Sequence, residues 1–396
     1  MKKIIAFIFL LVSIPSIGQK NLFTKGLVTP KNYYTEIDFE YISEKIIIPV
    51  TIQNKTYRFL FDTGAPNLIS AQIKNDIKTN AIKSINIKDA TSKRNSLEVV
   101  SVPEITMGGI SFKNCPTLVD TNKQNFIFDC FEIDGIIGSN MLQKSIVQID
   151  LKAKVIRLTN NKKKLTLNKG DAAKLYLIGR QKSPYIWINL HGEKKAREHL
   201  LIDTGMKGFY DVSLKNFNAL QKNKIFKVQS EGLGSKSIGF FGAAKKSKLY
   251  RVTVDTLKIN HTIFKNVTTE TTNDDNSRIG SEALKHGIMT IDFLNKKFYF
   301  SSYKSTIDLK EKLLGFSPTV INNKLVVGVV WDKNLKNKIS FGDEIIKLNT
   351  LDVPQIDICD FITSKTLFPK KDTVALTIKT SKGFIKNVMA KRTLPQ

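Results

Sequence analysis

The sequence predicts a mainly β protein built as two tandem, similar lobes followed by a smaller β/α module. Three observations predict it: short alternating apolar runs separated by Gly, Asn and Lys turns, an internal repeat with a unit of about 130 residues, and the loss of that repeat after Tyr303. The chain has 396 residues, 41% hydrophobic and 24% charged, which suits two or three domains with ordinary cores and excludes disordered and collagen-like classes.

Taken in order, Lys2 and Lys3 precede an apolar run over residues 4–12, followed by Ser13, Pro15, Ser16 and Gly18-Gln19. These are the basic, apolar and small-residue zones of a secretory signal peptide over residues 1–19, too short to span a membrane. No cysteine stands at the cleavage zone to take a lipid, and no later segment reaches transmembrane length. The mature chain is therefore expected to be exported, either periplasmic or extracellular.

The repeat comes next. Residues 46–52 lead through Asn54-Lys55 into residues 57–61 and then Asp62-Thr63-Gly64. Residues 185–190, a turn at His191-Gly192 and residues 200–202 lead likewise into Asp203-Thr204-Gly205. Downstream stand Ile136-Ile137-Gly138-Ser139 and Arg278-Ile279-Gly280-Ser281, each followed by two further strand-like runs. The intervals match: Asp62 to Gly138 is 76 and Asp203 to Gly280 is 77, while Ser139 to Asp150 and Ser281 to Asp292 are both eleven. A single Asp-Thr-Gly carries little information and could be a strand-ending Asx turn. Two at equivalent places, each closing an apolar strand, put carboxylates where burial is costly unless they share a proton or accept hydrogen bonds.

On these residues the chain resembles the retropepsin-like aspartic peptidases, with two lobes in one chain as in pepsin-type enzymes. The resemblance implies two β-barrel lobes, over residues 40–160 and 173–303, forming a pseudo-twofold cleft. It implies Asp62 and Asp203 as catalytic carboxylates, with Thr63, Gly64, Thr204 and Gly205 supporting them and Ile137, Gly138, Ile279 and Gly280 packed beneath. Arg278 stands where an apolar residue is usual and Met206 where a small one is common, so either a distorted second lobe or an altered pKa of its aspartate is expected, with less than full activity. Two carboxylates held about 3 Å apart cannot both ionise; one proton is shared, and the pair can activate a water against a peptide carbonyl. A lid over such a site is expected in Gly232, Leu233, Gly234 and Ser235 and onward to Gly242, while the matching segment of lobe 1, residues 89–96, is polar and lacks glycine.

After a charged connector, residues 310–396 resemble a PDZ domain. The run Gly342-Asp343-Glu344-Ile345-Ile346-Lys347-Leu348-Asn349 is its most specific feature, and Leu314, Gly315 and Phe316 stand at the family's carboxylate-binding loop. The resemblance implies a C-terminal peptide ligand added as a strand to a sheet edge.

Other chemistries are poorly supported. Four histidines show no metal-ligand spacing, no Walker loop or GxSxG elbow occurs, and neither cofactor nor metal is expected. Lys and Arg number 62 against 35 Asp and Glu, a formal charge of +27, but the cations are scattered and form no aromatic-interleaved stripe, so no nucleic-acid partner is expected. Of the three cysteines, Cys115 and Cys130 lie fifteen apart in one lobe and are expected to form a disulfide, leaving Cys359 as a buried thiol. The primary reading is an exported aspartic endopeptidase acting on a polypeptide substrate. The alternatives are a peptide-binding protein of the cell envelope with an impaired dyad, and a basic structural protein of the envelope.

Overall fold

The computed structural model describes residues 22–122, 125–355, 357–363 and 371–395. The expected leader, residues 1–19, lies outside the described residues.

Alternation dictates the strands. In Ser183–His191 the side chains of Ile186, Ile188 and Leu190 are buried while Trp187 and Asn189 point outward, the period-2 pattern of a sheet with one face on a core. Lys45–Ile52 and Lys55–Asp62 are joined by a tight hairpin in which Gln53 and Asn54 both take positive φ, the backbone twist that matches a two-residue connection. Asn tolerates this conformation because its side chain bonds locally.

Among the described residues, each lobe is built on a nine-stranded sheet, and a separate seven-stranded sheet forms the C-terminal module. The two lobes repeat one topology. The strand ending at Asp62, Lys55–Asp62, runs parallel to Gly135–Gly138, which pairs on its other side antiparallel with Leu68–Ser70. In lobe 2, Lys195–Ile202 runs parallel to Arg278–Ile279, which pairs antiparallel with Tyr210–Ser213. Each acidic triplet is thereby placed at the end of a central strand, beside the hydrophobic-Gly segment that follows it in the repeat.

The lobes are stitched by a six-stranded sheet to which both contribute. Its middle pair is Ile146–Asp150 against Gly287–Asp292, antiparallel, with Ile146 opposite Asp292 and Ile149 opposite Met289. These are the two segments lying at equal distance after Ser139 and Ser281, so the repeats meet each other on the pseudo-twofold axis. One apolar core, including Phe61, Ile149, Ile202 and Phe264, runs continuously through both lobes, whereas the module has its own core around Phe316, Val327, Leu376 and Ile378.

The disulfide expectation is corrected. Cys130 is bonded to Cys359, 229 residues away, and Cys115 is a buried free thiol, pushed up to about 12 by burial. The reason lies in the sheet. Alternate residues of its strands face opposite sides: Phe59, Phe61 and Cys115 belong to the core shared by the lobes, while Leu60, Leu118 and Cys130 belong to a second cluster on the other face. That outer cluster receives Cys359 and Ile362 from the module. The two lobe cysteines are therefore on different sides of one sheet, and helix Phe126–Phe131 of lobe 1 is tied to helix Ile358–Thr363 of the module instead.

Candidate active site

The structure brings Asp62 and Asp203 together at the lobe junction. Thr63 and Thr204 interlock the two loops by reciprocal bonds. The Thr63 hydroxyl donates to the Ile202 carbonyl at 2.7 Å and accepts from the Thr204 amide at 3.2 Å; the Thr204 hydroxyl donates to the Phe61 carbonyl at 2.8 Å and accepts from the Thr63 amide at 3.0 Å. Both threonines are fully buried, so these four bonds satisfy groups that would otherwise be orphaned.

Each carboxylate is also held by its own loop. Asp62 Oδ1 accepts from the Gly64 and Ala65 amides at 2.8 and 3.1 Å, and Asp203 Oδ1 from the Met206 amide at 3.0 Å. The triplet glycines are required by the opposing lobe. A Cβ on Gly205 would lie 2.1 Å from Asp62 Oδ2, and one on Gly64 would lie 2.5 Å from Asp203 Cγ. Glycine thus lets each loop approach the other's carboxylate. Beneath, Gly138 and Gly280 pass under the loops: a Cβ there would meet Pro66 at 2.2 Å and the Gly208 carbonyl at 2.4 Å, while Ile137 and Ile279 are buried beside them.

Lobe 2 keeps the loop of lobe 1, with the Met206 amide on its carboxylate where lobe 1 places two amides. Met206 supplies the same backbone amide as Ala65, and its side chain is buried. Arg278 has a specific partner: it donates to Asp203 Oδ2 at 2.7 Å and also pairs with Asp274. The guanidinium is itself mostly buried, so the ion pair is little screened by solvent.

Three residues of this site had no motif to flag them. Lys45, half-buried at the start of its strand, donates from Nζ to the Gly205 carbonyl. Gln181, in the corresponding hairpin of lobe 2, donates to the Gly64 carbonyl at 2.9 Å. Each triplet glycine is thus gripped by a long side chain from the other lobe, with a cation on one side and a neutral amide on the other. Asn67, also buried, accepts the Gly138 amide at 2.7 Å and braces the lobe 1 loop.

The electrostatics are asymmetric. Burial and then the neighbouring Asp203 charge push the Asp62 carboxyl up to about 7, against opposing pulls from Lys45 and the Gly64 amide. Burial is also the main cause of the lowered Lys45 pKa, opposed by Asp62 and Asp203. Asp203 is ion-paired with Arg278, so the raised Asp62 carboxyl is the member of the pair suited to hold a proton close to neutral pH.

Two hairpins, one from each lobe, meet at their tips. In lobe 1, Ala81–Lys88 and Arg94–Met107 form a glycine-free hairpin whose turn reaches lobe 2: the Ser92 hydroxyl donates to the Asn273 carbonyl at 2.9 Å and Lys88 pairs with Asp275 at 2.5 Å. In lobe 2, the hairpin of Lys227–Gly234 and Ser247–Ile259 ends in residues that meet that turn, the Phe241 amide donating to Asp89 Oδ2 at 2.8 Å and Lys93 to the Phe241 carbonyl at 3.2 Å. A cavity of about 880 Å³ lies at this meeting, lined by Lys93, Asn125, Phe240 and Lys245 and by neither aspartate.

The expected lid residues differ in what they touch. The tip beyond Ile238 touches lobe 1, but Gly232, Leu233, Gly234 and Ser235 form the stem, and the stem lies against the module. The Ser235 amide donates to the Gly328 carbonyl at 3.1 Å, and Lys336 donates to the Glu231 carbonyl at 2.7 Å. Nearby, Arg251 donates to the Leu314 carbonyl at 2.8 Å and pairs with Glu270 at 2.7 Å, and Glu270 accepts from Ser317 at 3.1 Å. Burial pushes Glu270 up, but the Lys236 ammonium and Arg251 guanidinium prevail and hold its carboxyl at about 2. The loop expected to bind a carboxylate is likewise engaged within the fold: the Gly315 amide donates to the Lys391 carbonyl at 3.1 Å and Phe316 is buried in the module core.

Among solved structures, the chain is similar to an aspartic proteinase from Irpex lacteus, at 12% identity and a TM-score of 0.43 over 68% of this chain and 97% of that one. No curated protein matches the chain. Residues 48–141 match the model of the aspartyl protease family Asp_protease_2, a stretch running from the strand before Asp62 past Gly138. The family likeness in sequence thus lies in lobe 1, and lobe 2 repeats its topology around Asp203.

Proposed function

We propose that this protein is an exported aspartic endopeptidase. The observation that carries the reading is the pair of interlocked Asp-Thr-Gly loops with one carboxylate poised near neutral pH and the other ion-paired. In the reaction, Asp203, held by Arg278, takes a proton from a water that attacks the peptide carbonyl, and Asp62 donates its proton to the developing oxyanion. As the C–N bond breaks, the amine leaves with a proton from the dyad, and the carboxyl product keeps the water oxygen. The disulfide supports export, since such bonds persist in oxidising compartments.

The test is hydrolysis of an unfolded protein substrate by the full chain. Cleavage blocked by a statine-type inhibitor, which imitates the tetrahedral intermediate, and indifferent to chelators is the expected result. Cleavage indifferent to that inhibitor but abolished by a chelator or serine reagent removes the reading.

Because activity needs the Asp62 proton, it falls as pH rises through about 7. Lys45 pulls that value down, so Lys45→Met lets it rise and moves the alkaline limb of kcat/KM to higher pH. Asp203, Lys207 and Arg278 also face Lys45 and stay in place in this variant. A lowered rate with an unmoved limb would assign Lys45 to packing alone.

For the module we propose a PDZ-like role in holding substrate or partner peptides. Strand Phe316–Ile321 stands last in the strand order of its sheet among the described residues, which supports strand addition. The second reading, a peptide-binding protein that does not turn over, is favoured by one observation: Arg278 occupies Asp203 Oδ2. Tight peptide binding without products distinguishes it.

A further inference from the structure

The last hairpin of the module, Thr373–Lys379 with Ile385–Thr393, presents apolar side chains that stay exposed among the described residues. Phe384 and Ile385 are each 65% exposed, Met389 55% and Leu394 44%. Of the thirteen large apolar side chains exposed among the described residues, Phe384, Ile385 and Met389 fall within six residues of the hairpin, a density that no other stretch reaches. Scattered apolar exposure is ordinary; a cluster of this kind marks a contact surface.

The backbone around the cluster is firmly set. The Thr380 amide donates to the Phe384 carbonyl at 2.9 Å, the Phe384 amide donates to the Thr380 hydroxyl at 3.1 Å, and the Gly383 amide donates to the Thr380 carbonyl at 2.8 Å. Gly383 takes φ +86° with open space where a Cβ would lie, so the turn projects from the molecule. Ile385 and Met389, four apart on one strand, share a face, and Lys379 stands opposite Ile385 across the pair.

The hairpin itself carries charge of one sign, and the nearest carboxylate across the sheet, Glu344 opposite Lys379, is paired with Lys324. From Thr373 to the end of the chain there is no Asp or Glu, while Lys379, Lys382, Lys386 and Lys391 are exposed and make no ion pair among the described residues. The whole chain carries +27, which adds a long-range attraction to any anionic surface.

We propose that this hairpin docks the protein on an anionic lipid bilayer, with Phe384 and Ile385 entering the boundary between headgroups and acyl chains and Lys379, Lys382 and Lys386 meeting lipid phosphates. A bilayer fits better than an acidic protein because the apolar element is convex, two side chains on a projecting turn. A fluid interface closes around such a wedge without a matching concavity, and lysines flanking it on both strands suit a plane of negative charge. Peripheral attachment of this kind is compatible with the finding that no helix among the described residues is long and apolar enough to cross a membrane. The inference does not rest on the peptidase reading.

The experiment is flotation of the full oxidised chain with vesicles of phosphatidylcholine alone or mixed with phosphatidylglycerol. The expected result is partition onto the mixed vesicles that weakens with salt. Lys382→Glu with Lys386→Glu should lose at least about fivefold per lysine, and Phe384→Ser with Ile385→Ser should lose at least about tenfold. Phe384→Trp should be quenched by brominated lipid beyond the level of the native tryptophans. Because these side chains are exposed, an unchanged melting temperature verifies that each variant is folded. The control is Lys162→Glu with Lys163→Glu, remote in sequence. An equal loss in the control would mean that net charge alone drives binding and would overturn the proposal. So would absence of binding to the mixed vesicles, unchanged binding in the Phe384 and Ile385 variant, or a wedge that instead holds two copies together in sedimentation.

Discussion

Asp62→Asn and Asp203→Asn are each expected to lower kcat/KM for peptide hydrolysis by about 10³-fold or more, the range over which a positioned acid or base acts. The two roles cannot be exchanged, because one shared proton requires two carboxylates, and the double variant should be little worse than either single one. Neither change should disturb the loops, since the interlock is made by Thr63, Thr204 and backbone carbonyls. Asp62→Asn should also change the pH dependence of stability. The Asp62 carboxyl sits at about 7 in the folded chain against 3.8 as its ordinary value, so between these limits the folded state binds more protons than the unfolded one. Stability therefore falls as pH rises through this window, and the Asp62→Asn change removes that slope. Urea denaturation of both proteins at pH 5 and pH 8 reads it. Substantial turnover in either single variant would eliminate the shared-proton mechanism.

Cys359→Ser is expected to cost about 2–5 kcal/mol of stability, the usual range for a native disulfide. Its ring is long, spanning 229 residues, and it fastens the module to lobe 1 while the module's strand Lys324–Val330 holds the stem of the lobe 2 hairpin. The module therefore braces both lobes, and losing the bond loosens contacts on both. Cys130→Ser should cost the same, and the double variant no more than either one, because all three remove one bond. Cys115→Ser leaves the bond in place. Thermal unfolding without reductant provides the comparison, and a melting temperature indifferent to Cys359→Ser would contradict the bracing role.

The unequal legibility of the site follows from where its information lies. Thr63, Gly64 and their repeats are readable because the triplet closes an apolar strand, and strand and turn signals extend over only a few residues. The equal spacing of Ser139 to Asp150 and Ser281 to Asp292 even anticipates which strands meet on the twofold axis. Arg278 was visible as a departure, yet its meaning depended on Asp274 and Asp203 arriving beside it. Lys45 resembled any lysine at the mouth of a strand, in a chain with 62 cations. The glycine-free hairpin of lobe 1 offered no lid signal, because its contribution is made by Asp89, Ser92 and Lys93 reaching the other lobe.

The sequence by itself determined the β class, the doubled unit and the two acidic loops, since period-2 burial, turn chemistry and repetition are local or self-referential properties. Tertiary structure alone decided which lobe side chain grips which glycine, which aspartate faces a guanidinium, and which cysteine finds Cys359. Those pairings join residues from tens to hundreds of positions apart, and the face of a sheet on which a side chain emerges, rather than its distance along the chain, selects its partner.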